Sequence, residues 1–308
     1  MKHFSLKVTL LLALPLMLFS YGCSQCQREN AENETARDIM QSVTIDEQLL
    51  ADFNKSKLIF YSLPSPLETA MLIKRAGAAF NPDLLNDVDA ASRYDTNARM
   101  ALNLGIYSAD MSYSSLFDQT QSTLNFMGAA RQLAERLGVM EAIDEGTIRR
   151  LEENMNNREV VMDIISETFM NSNAYLTEQD RPAIAVMVLL GGWVEGLYLA
   201  TQLTEGELEG NPELIDRIVY QKLSLLTLIN LMETHSSNED VARLLVDMQA
   251  LMAIYDEVKI ITTADVEAET RPEERMTILR SQAETFISQE TLNKLVSHVA
   301  ALRAGFVS

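Results

Sequence analysis

The chain is poor in the residues on which compact metal and redox sites are built. Its 308 residues include two cysteines and three histidines. Two cysteines exclude a disulfide framework, and so few sulfur and imidazole ligands argue against a zinc site of ordinary composition. Phosphate-binding loops, the dinucleotide-binding fingerprint, the H-E-x-x-H zinc motif and the G-x-S-x-G nucleophile elbow are also missing from the sequence. We therefore expect no metal and no cofactor.

Glycine and proline are scarce as well. The chain has 12 glycines and 7 prolines but 16 methionines, and long stretches are rich in leucine, alanine and glutamate, a composition that favours helices. We find no convincing strand pattern of useful length. No linker rich in proline, glycine and serine divides residues 45–308. The sequence therefore predicts an all-α fold, a single multi-helix bundle of roughly ten helices.

Basic residues are outnumbered by acidic ones, 25 to 44, which gives a formal net charge of −19. A surface of this sign repels phosphate backbones, so nucleic acid is excluded as a partner. It also repels anionic lipid headgroups, so contact with a membrane has to come from an anchor rather than from a basic patch.

Capping residues and prolines mark the helix boundaries. The pairs Ser65-Pro66, Asn81-Pro82 and Asn211-Pro212 each place proline after a capping side chain, which is typical of a helix start. Gly138 is expected to end a helix. Further helix starts are predicted near Ser92, Asp118, Asp144, Asn157, Thr177, Ser237, Thr270 and Ser288. Residues 260–263 are interpreted as a short extended piece.

Two predicted helices carry small residues at every fourth position. The two stripes are Ala101, Gly105, Ala109 and Gly192, Gly196, Ala200. Residues four apart share a helix face, and glycine inside a helix costs about 1 kcal/mol relative to alanine, so a close approach of another helix is indicated. We expect both helices at the centre of the bundle, packed on each other. The second, Ala183–Leu203, is nearly long enough to span a membrane, but a buried core helix is favoured.

Two carboxyl groups on these helices are candidate functional groups. Glu195 has apolar neighbours on all sides of its helix, so it needs a partner or a proton if it is buried. One interpretation is a structural partner such as arginine or tyrosine, and the other is a ligand-binding or catalytic carboxylate. Asp110 belongs either to an exposed stripe with Arg99, Asn103 and Ser114, or to a pair with Glu195 that acts as acid and base or holds a cation. Tyr107, Tyr198 and Trp193 complete the set of candidate ligand-binding residues.

The N-terminus has the layout of an export signal. Lys2 and Lys7 precede an apolar run, and Ser20-Tyr21-Gly22 precedes Cys23. The segment resembles the signal peptides of bacterial lipoproteins, which implies cleavage after residue 22 and a diacylglycerol and acyl chain on Cys23. Residues 23–44 are polar and suit a flexible tether. Because Ser24 follows the cysteine, the resemblance favours the outer over the inner membrane.

Two internal segments carry a second resemblance. Residues 101–113, ALNLGIYSADMSY, and residues 191–198, GGWVEGLY, resemble recurring segments of uncharacterised, all-helical bacterial lipoproteins. The resemblance implies an exported helical domain and no particular activity. The sequence thus predicts a lipid-anchored protein of the cell envelope that binds or scaffolds another envelope protein or a small ligand. An enzyme that uses carboxylates, such as a hydrolase, and a purely structural protein are the alternatives.

Overall fold

Helices make up most of the chain that the structure describes. The computed structural model describes residues 66–142, 145–154, 157–271 and 276–308. The predicted signal peptide (1–22), Cys23, the tether (23–44) and the predicted cap at Asp144 lie outside these residues. The nine α-helices within the described ranges are α1 (Pro66–Arg75), α2 (Asn97–Leu116), α3 (Thr120–Leu137), α4 (Glu145–Glu153), α5 (Arg158–Glu178), α6 (Pro182–Gln202), α7 (Pro212–Thr234), α8 (Glu239–Tyr255) and α9 (Gln289–Val307). Short 3-10 helices cover Pro82–Leu84, Val88–Ser92 and Met140–Ala142.

The all-α bundle predicted from the sequence is confirmed, and most helix starts fall at the predicted signals. The side chain of Asn211 accepts a hydrogen bond from the Leu214 amide at 3.1 Å, one residue before Pro212 opens α7. Asn157 and Ser288 cap α5 and α9 in the same manner. Gly138 ends α3 in the left-handed conformation, with a φ of 69°. Each cap satisfies an amide or carbonyl that the helix itself leaves unpaired.

Three predicted helix boundaries are wrong. Asp118 does not cap α3: it has a φ of 60°, and the helix starts after Gln119. Thr177 belongs to the last turn of α5, and the next helix starts only at Pro182, where proline supplies the φ of a first turn. The long helix predicted from Ser92 begins later. Ser92 is the last residue of a 3-10 helix, and α2 begins after Thr96, whose side chain accepts a hydrogen bond from the Arg99 amide.

A fourth correction concerns the segment before the last helix. The helix predicted from Thr270 is absent, and an antiparallel pair of strands, β1 (Lys259–Arg271) and β2 (Met276–Phe286), occupies this part of the chain. Its register runs from Lys259 opposite Phe286 to Arg271 opposite Met276, with an irregularity between Thr262 and Val266. The extended piece predicted at residues 260–263 is therefore real but is much longer than expected.

Helices α2 and α6 form the central pair of the bundle, as the small-residue stripes predicted. A Cβ atom on Gly105 would lie 2.0 Å from the carbonyl oxygen of Val188, and one on Gly191 would lie 1.9 Å from the carbonyl oxygen of Leu102. These distances are far below van der Waals contact, so the two backbones touch directly. On α6 this contact involves Gly191, one residue before the predicted stripe.

Helix α6 is apolar and long enough to cross a membrane by length and composition, the single such helix among the described residues. Within the bundle, however, 89% of its most apolar stretch is buried. Its neighbours are α2, α9, α1, α5, α7 and α8. The buried-core interpretation accounts for the apolar sequence, because the protein surrounds this helix as completely as lipid would.

Candidate functional site

Glu195 of α6 forms an ion pair with Arg303 of α9 at the centre of the bundle. The guanidinium donates from Nε to Oε2 at 3.0 Å and from Nη2 to Oε1 at 3.1 Å. The Glu195 side chain is fully buried, whereas 12% of the Arg303 side chain is exposed. Two parallel hydrogen bonds between a planar guanidinium and a carboxylate are the strongest form of such a pair. Arginine as a partner of Glu195 is one of the two interpretations drawn from the sequence.

Asp110 of α2 is the second buried carboxyl group beside this ion pair. Its Oδ2 accepts a hydrogen bond from the Asn86 amide at 3.1 Å. Its Oδ1 has no donor among the described groups. Burial, followed by the charge of Glu195, raises the pKa of Asp110 well above its ordinary value, which favours the protonated form of this carboxyl group beside Glu195. Burial also raises the pKa of Glu195, and the charge and hydrogen bonds of Arg303 offset part of this effect.

One proton on Asp110 accounts for this arrangement. A protonated Asp110 is neutral and offers an O–H donor beside the Glu195 carboxylate, which receives the two hydrogen bonds from Arg303. The cluster then holds one negative and one positive charge, and no net charge is buried. Burial opposes the charge on Arg303, but the Glu195 carboxylate outweighs it and raises the pKa of the guanidinium. The two carboxyl groups therefore share one proton and one cation.

Two asparagines extend the cluster towards α9. The Asn86 side chain donates to Asn103 Oδ1 at 3.2 Å, and Asn103 Nδ2 donates to the carbonyl of Phe306 at 2.8 Å. Arg303 Nη2 also donates to the carbonyl of Leu84 at 3.4 Å. We call Asn86, Asn103, Asp110, Glu195 and Arg303 the polar centre. Its hydrogen bonds tie α9 to the α2–α6 pair.

The exposed stripe that was one interpretation of Asp110 is wrong. Asn103, Asp110 and Ser114 are buried, and only Arg99 of the four reaches the surface substantially. The reason is that α2 is enclosed on several sides: α3, α6, α1 and α9 all contact it. The alternative, in which Asp110 meets Glu195, agrees with the structure.

The three aromatic candidates divide between the polar centre and the core. Tyr198 lies under the guanidinium of Arg303, with the Cζ atom 4.8 Å from the ring centre. The Tyr107 hydroxyl donates to the carbonyl of Asp87 at 2.7 Å. Trp193 is buried and donates to Gln221 on α7 at 3.2 Å, so it does not join the polar centre. The polar ring atoms of Tyr107 and Trp193 are therefore already occupied by protein partners.

The chemistry open to the polar centre follows from these contacts. Glu195 and Asp110 are both fully buried, and neither lines the two cavities described below. A nucleophilic or general-base carboxylate needs a substrate within hydrogen-bond reach. Among the described residues, no group of three or more acidic, histidine or cysteine side chains is arranged to hold a metal ion. The geometry is that of a buried internal network in which Arg303, Asn86 and Asn103 hold the two carboxyl groups in place.

A cavity of about 200 Å³ lies beside a different face of α2 from the one that carries Asp110. Its described lining comes from α2, α3, α4, α5 and α6 and from the 3-10 turn at Met140, and it is dominated by apolar side chains. These are Leu104, Met111, Met127, Ala130, Ala134, Met140, Ile148, Leu151, Ile164, Ile165, Phe169 and Val188. At about 30 Å³ for a water molecule, the space would hold on the order of seven water-sized groups. We call it the apolar cavity.

The polar side chains around the apolar cavity are largely satisfied without a ligand. Ser108 donates to the carbonyl of Leu104, and Thr168 donates to the carbonyl of Ile164, both at 2.7 Å. Hydroxyl groups bonded to their own helix in this way present mainly carbon to the space beside them. Methionines at positions 111, 127 and 140 add flexible, polarisable surface that adapts to the shape of an occupant.

A second, wider opening of about 680 Å³ lies between the start of α2, α8 and α9. Its two arginines each pair with a carboxylate of their own helix or of the turn before it, and Arg99 also donates to the carbonyl of Ser308. Arg243 donates to Asp240 at 2.6 Å, and Arg99 donates to Asp95 at 3.3 Å. Surface pairs of this kind contribute little to stability. This opening has mixed charge and offers no single chemical character to a ligand.

Sequence reasoning missed the residues that complete both sites. Arg303, Asn86 and Asn103 were not candidates for ligand binding, and the apolar cavity was not anticipated. Asn103 had one available signal, because it lies seven residues before Asp110 and so shares its helix face. Arg303 and Asn86 carry no comparable signal, since each is surrounded by ordinary surface-like sequence.

Comparisons with known proteins found no matching family model, no similar curated protein and no similar solved structure.

Proposed function

We propose that this chain is a lipid-anchored protein of the cell envelope whose helical domain binds a small apolar ligand in the apolar cavity. The observation that carries the proposal is the cavity itself: about 200 Å³ between five helices, open to solvent on one side and lined mainly by carbon atoms. Protein interiors are normally packed as densely as organic crystals, with few voids larger than a water molecule. Small-molecule sites are typically apolar spaces of this kind.

The contacts of the polar centre support a structural role for its buried carboxyl groups and leave ligand binding to the apolar cavity. Its carboxyl groups are buried and are occupied by Arg303, by Asn86 and by each other. A network of this type fixes the register of packed elements. The bundle would therefore be held by the polar centre and would bind its ligand at the apolar cavity. An enzyme that uses Glu195 as a free carboxylate is the weaker alternative.

Export and anchoring rest on the sequence of the first 44 residues. The basic start, the apolar run and the small residues before Cys23 support cleavage and lipid attachment there. Several acyl chains give durable anchoring, since each buried methylene adds about 0.8 kcal/mol. Mass spectrometry of the native protein tests this part. We expect a mature chain that starts at an acylated Cys23, and an unmodified Met1 would refute it.

Ligand binding is tested by filling the apolar cavity. Gly128 lines the cavity, and a Cβ atom added there meets nothing within 4 Å. Gly128→Leu should occupy the space without moving the backbone. We expect calorimetry with octanol, a neutral aliphatic probe, to show binding to the wild-type chain and a loss of at least tenfold in the variant.

The matched control is Gly305→Leu. Gly305 also lies inside a helix with nothing within 4 Å of its Cβ position, but it lines the second opening. This variant should bind octanol as the wild type does. Trp193, the single tryptophan, reports by its fluorescence that both variants are folded. Octanol that does not bind the wild-type chain, or binds Gly128→Leu equally well, would contradict the proposal.

A further inference from the structure

The charge at the edge of the apolar cavity indicates what kind of apolar ligand it takes. Of the described residues that line it, Arg131 alone carries a charge. The Arg131 side chain is 54% exposed, so it marks where the cavity meets solvent. It lies on α3, three residues after Gly128, on the same face of that helix.

The hydrogen bonds of Arg131 leave part of its guanidinium unused. Nε donates to Glu135 Oε1 at 3.0 Å, four residues along the same helix. Nη1 and Nη2 have no partner among the described residues. A guanidinium has five N–H donors in a planar fork, and two parallel donors match the two oxygens of a carboxylate. The exposed Glu135 pair contributes little and does not compete for the terminal nitrogens.

We propose that the ligand is an aliphatic monocarboxylic acid, whose chain fills the apolar cavity and whose carboxylate binds Nη1 and Nη2 of Arg131. This inference rests on the proposed function and names the chemical class of its ligand. The cavity volume suits a chain of medium length, on the order of seven groups of about 30 Å³ each. The three methionines accept a flexible chain that has no fixed shape.

The charge of the whole chain sharpens the assignment. A formal net charge of −19 repels anions in general. A preference for an anionic ligand would therefore not come from the overall field and has to arise at a local cation. The apolar cavity offers one such cation at its described edge, and the remainder of its described lining is uncharged.

The test compares octanoate with octanol at neutral pH. The two probes have equal carbon number and differ in the charged group. We expect the wild-type chain to bind octanoate about tenfold more tightly than octanol, which corresponds to about 1.4 kcal/mol for a charge-assisted contact. Arg131→Gln should remove this preference and leave the affinity for octanol unchanged.

The control variant is Arg150→Gln. Arg150 pairs with Glu167, is exposed to a similar degree and does not line the cavity. It removes the same charge from the chain, so it should keep the preference for octanoate. Equal affinities of the wild type for both probes would overturn the inference, and so would an equal loss of the octanoate preference in the two arginine variants. In either case, binding of octanol would still support the proposed cavity site. Failure of both probes to bind the wild-type chain would reject the proposed function itself.

Discussion

Helix α2 presents two faces that are built on opposite principles. Asn103 and Asp110 point to the polar centre, where almost every donor and acceptor has a partner at a defined distance. Leu104 follows Asn103 and Met111 follows Asp110, and both line the apolar cavity, whose walls are mainly carbon. The first face specifies a single arrangement, because an unsatisfied buried polar group is costly. The second tolerates different occupants, because dispersion contacts have no fixed direction.

The sharpest way to break this contrast is to remove the cation of the polar centre. Arg303→Met leaves Glu195 buried without its ion-pair partner, and we expect a loss of about 3–5 kcal/mol in the free energy of unfolding at neutral pH. Denaturant unfolding followed by Trp193 fluorescence measures it. Arg93→Met is the control, since Arg93 pairs with Asp87 on the surface and should cost less than about 1 kcal/mol. If Arg303→Met lowers the free energy of unfolding no more than about 1 kcal/mol, as expected for Arg93→Met, the polar centre contributes little to stability.

The contact between α2 and α6, on which both faces depend, is broken by a single methyl group. Gly105→Ala places Cβ 2.0 Å from the backbone oxygen of Val188, so the helices have to separate. We expect a loss of about 3 kcal/mol from overpacking, measured as a shift of the denaturation midpoint. Gly128→Ala, which has open space, should instead gain up to about 1 kcal/mol from helix propensity. Destabilisation of the same size in both variants would contradict the close contact.

The shared proton gives the polar centre a pH dependence that the apolar cavity lacks. A carboxyl group with a raised pKa binds its proton more tightly in the folded state. Its stabilising contribution is complete below the unfolded pKa of about 3.9 and is lost as pH rises through the folded-state pKa. Burial and Glu195 raise the pKa of Asp110, so the contribution of Asp110 to the stability of the wild-type chain should fall as pH increases above about 4.

Asp110→Asn isolates this contribution. The amide accepts from Asn86 and donates to Glu195 as the protonated acid does, but it does not ionise. Thermal unfolding between acidic and mildly alkaline pH should therefore decline less steeply for the variant than for the wild type. The Met111→Leu variant serves as the control and should follow the wild-type pH profile. Parallel profiles for Asp110→Asn and the wild type would exclude a shared proton.

The smallest effect is expected on the cavity face. Met111→Leu conserves volume and should change the free energy of unfolding by less than about 1.5 kcal/mol. Asn103→Leu, on another face of α2, removes the donor to Phe306 O and one of the two acceptors of Asn86 Nδ2, which keeps Tyr94. Each hydrogen-bonding group left unsatisfied costs about 1–3 kcal/mol. Chemical denaturation of both variants measures the difference. Equal costs would mean that the two faces do not differ in specificity.

Local signals in the sequence predicted the helices because capping is a local interaction. Asn211 and Ser288 contact amides only three residues away, so the pattern alone identifies them. The antiparallel strands were not predicted because the sequence Thr270-Arg271-Pro272-Glu273 fits a helix start. Residues of these types also favour turns, so the pattern alone does not distinguish the two. Thr177 misled the prediction in the same way, since a good capping residue also occurs inside the last turn of α5.

The site was predictable only in part, for a reason of distance along the chain. Glu195 stands out because it interrupts an apolar helix, and Asp110 lies on a helix with a small-residue face. Their partner Arg303 is 108 residues from Glu195, and nothing in its own neighbourhood distinguishes it from a surface arginine. The apolar cavity is less predictable still, because a void depends on how five helices pack and not on any one residue.

The methionines of the apolar cavity make it chemically vulnerable in a way that the polar centre is not. Oxidation adds a polar oxygen to a thioether and turns an apolar side chain into a chiral, hydrogen-bonding one. At Met111, Met127 or Met140 this oxygen would face the cavity lining. Oxidation would thus make the lining of the apolar cavity more polar and less suited to an apolar occupant, and reduction of the sulfoxide would restore it.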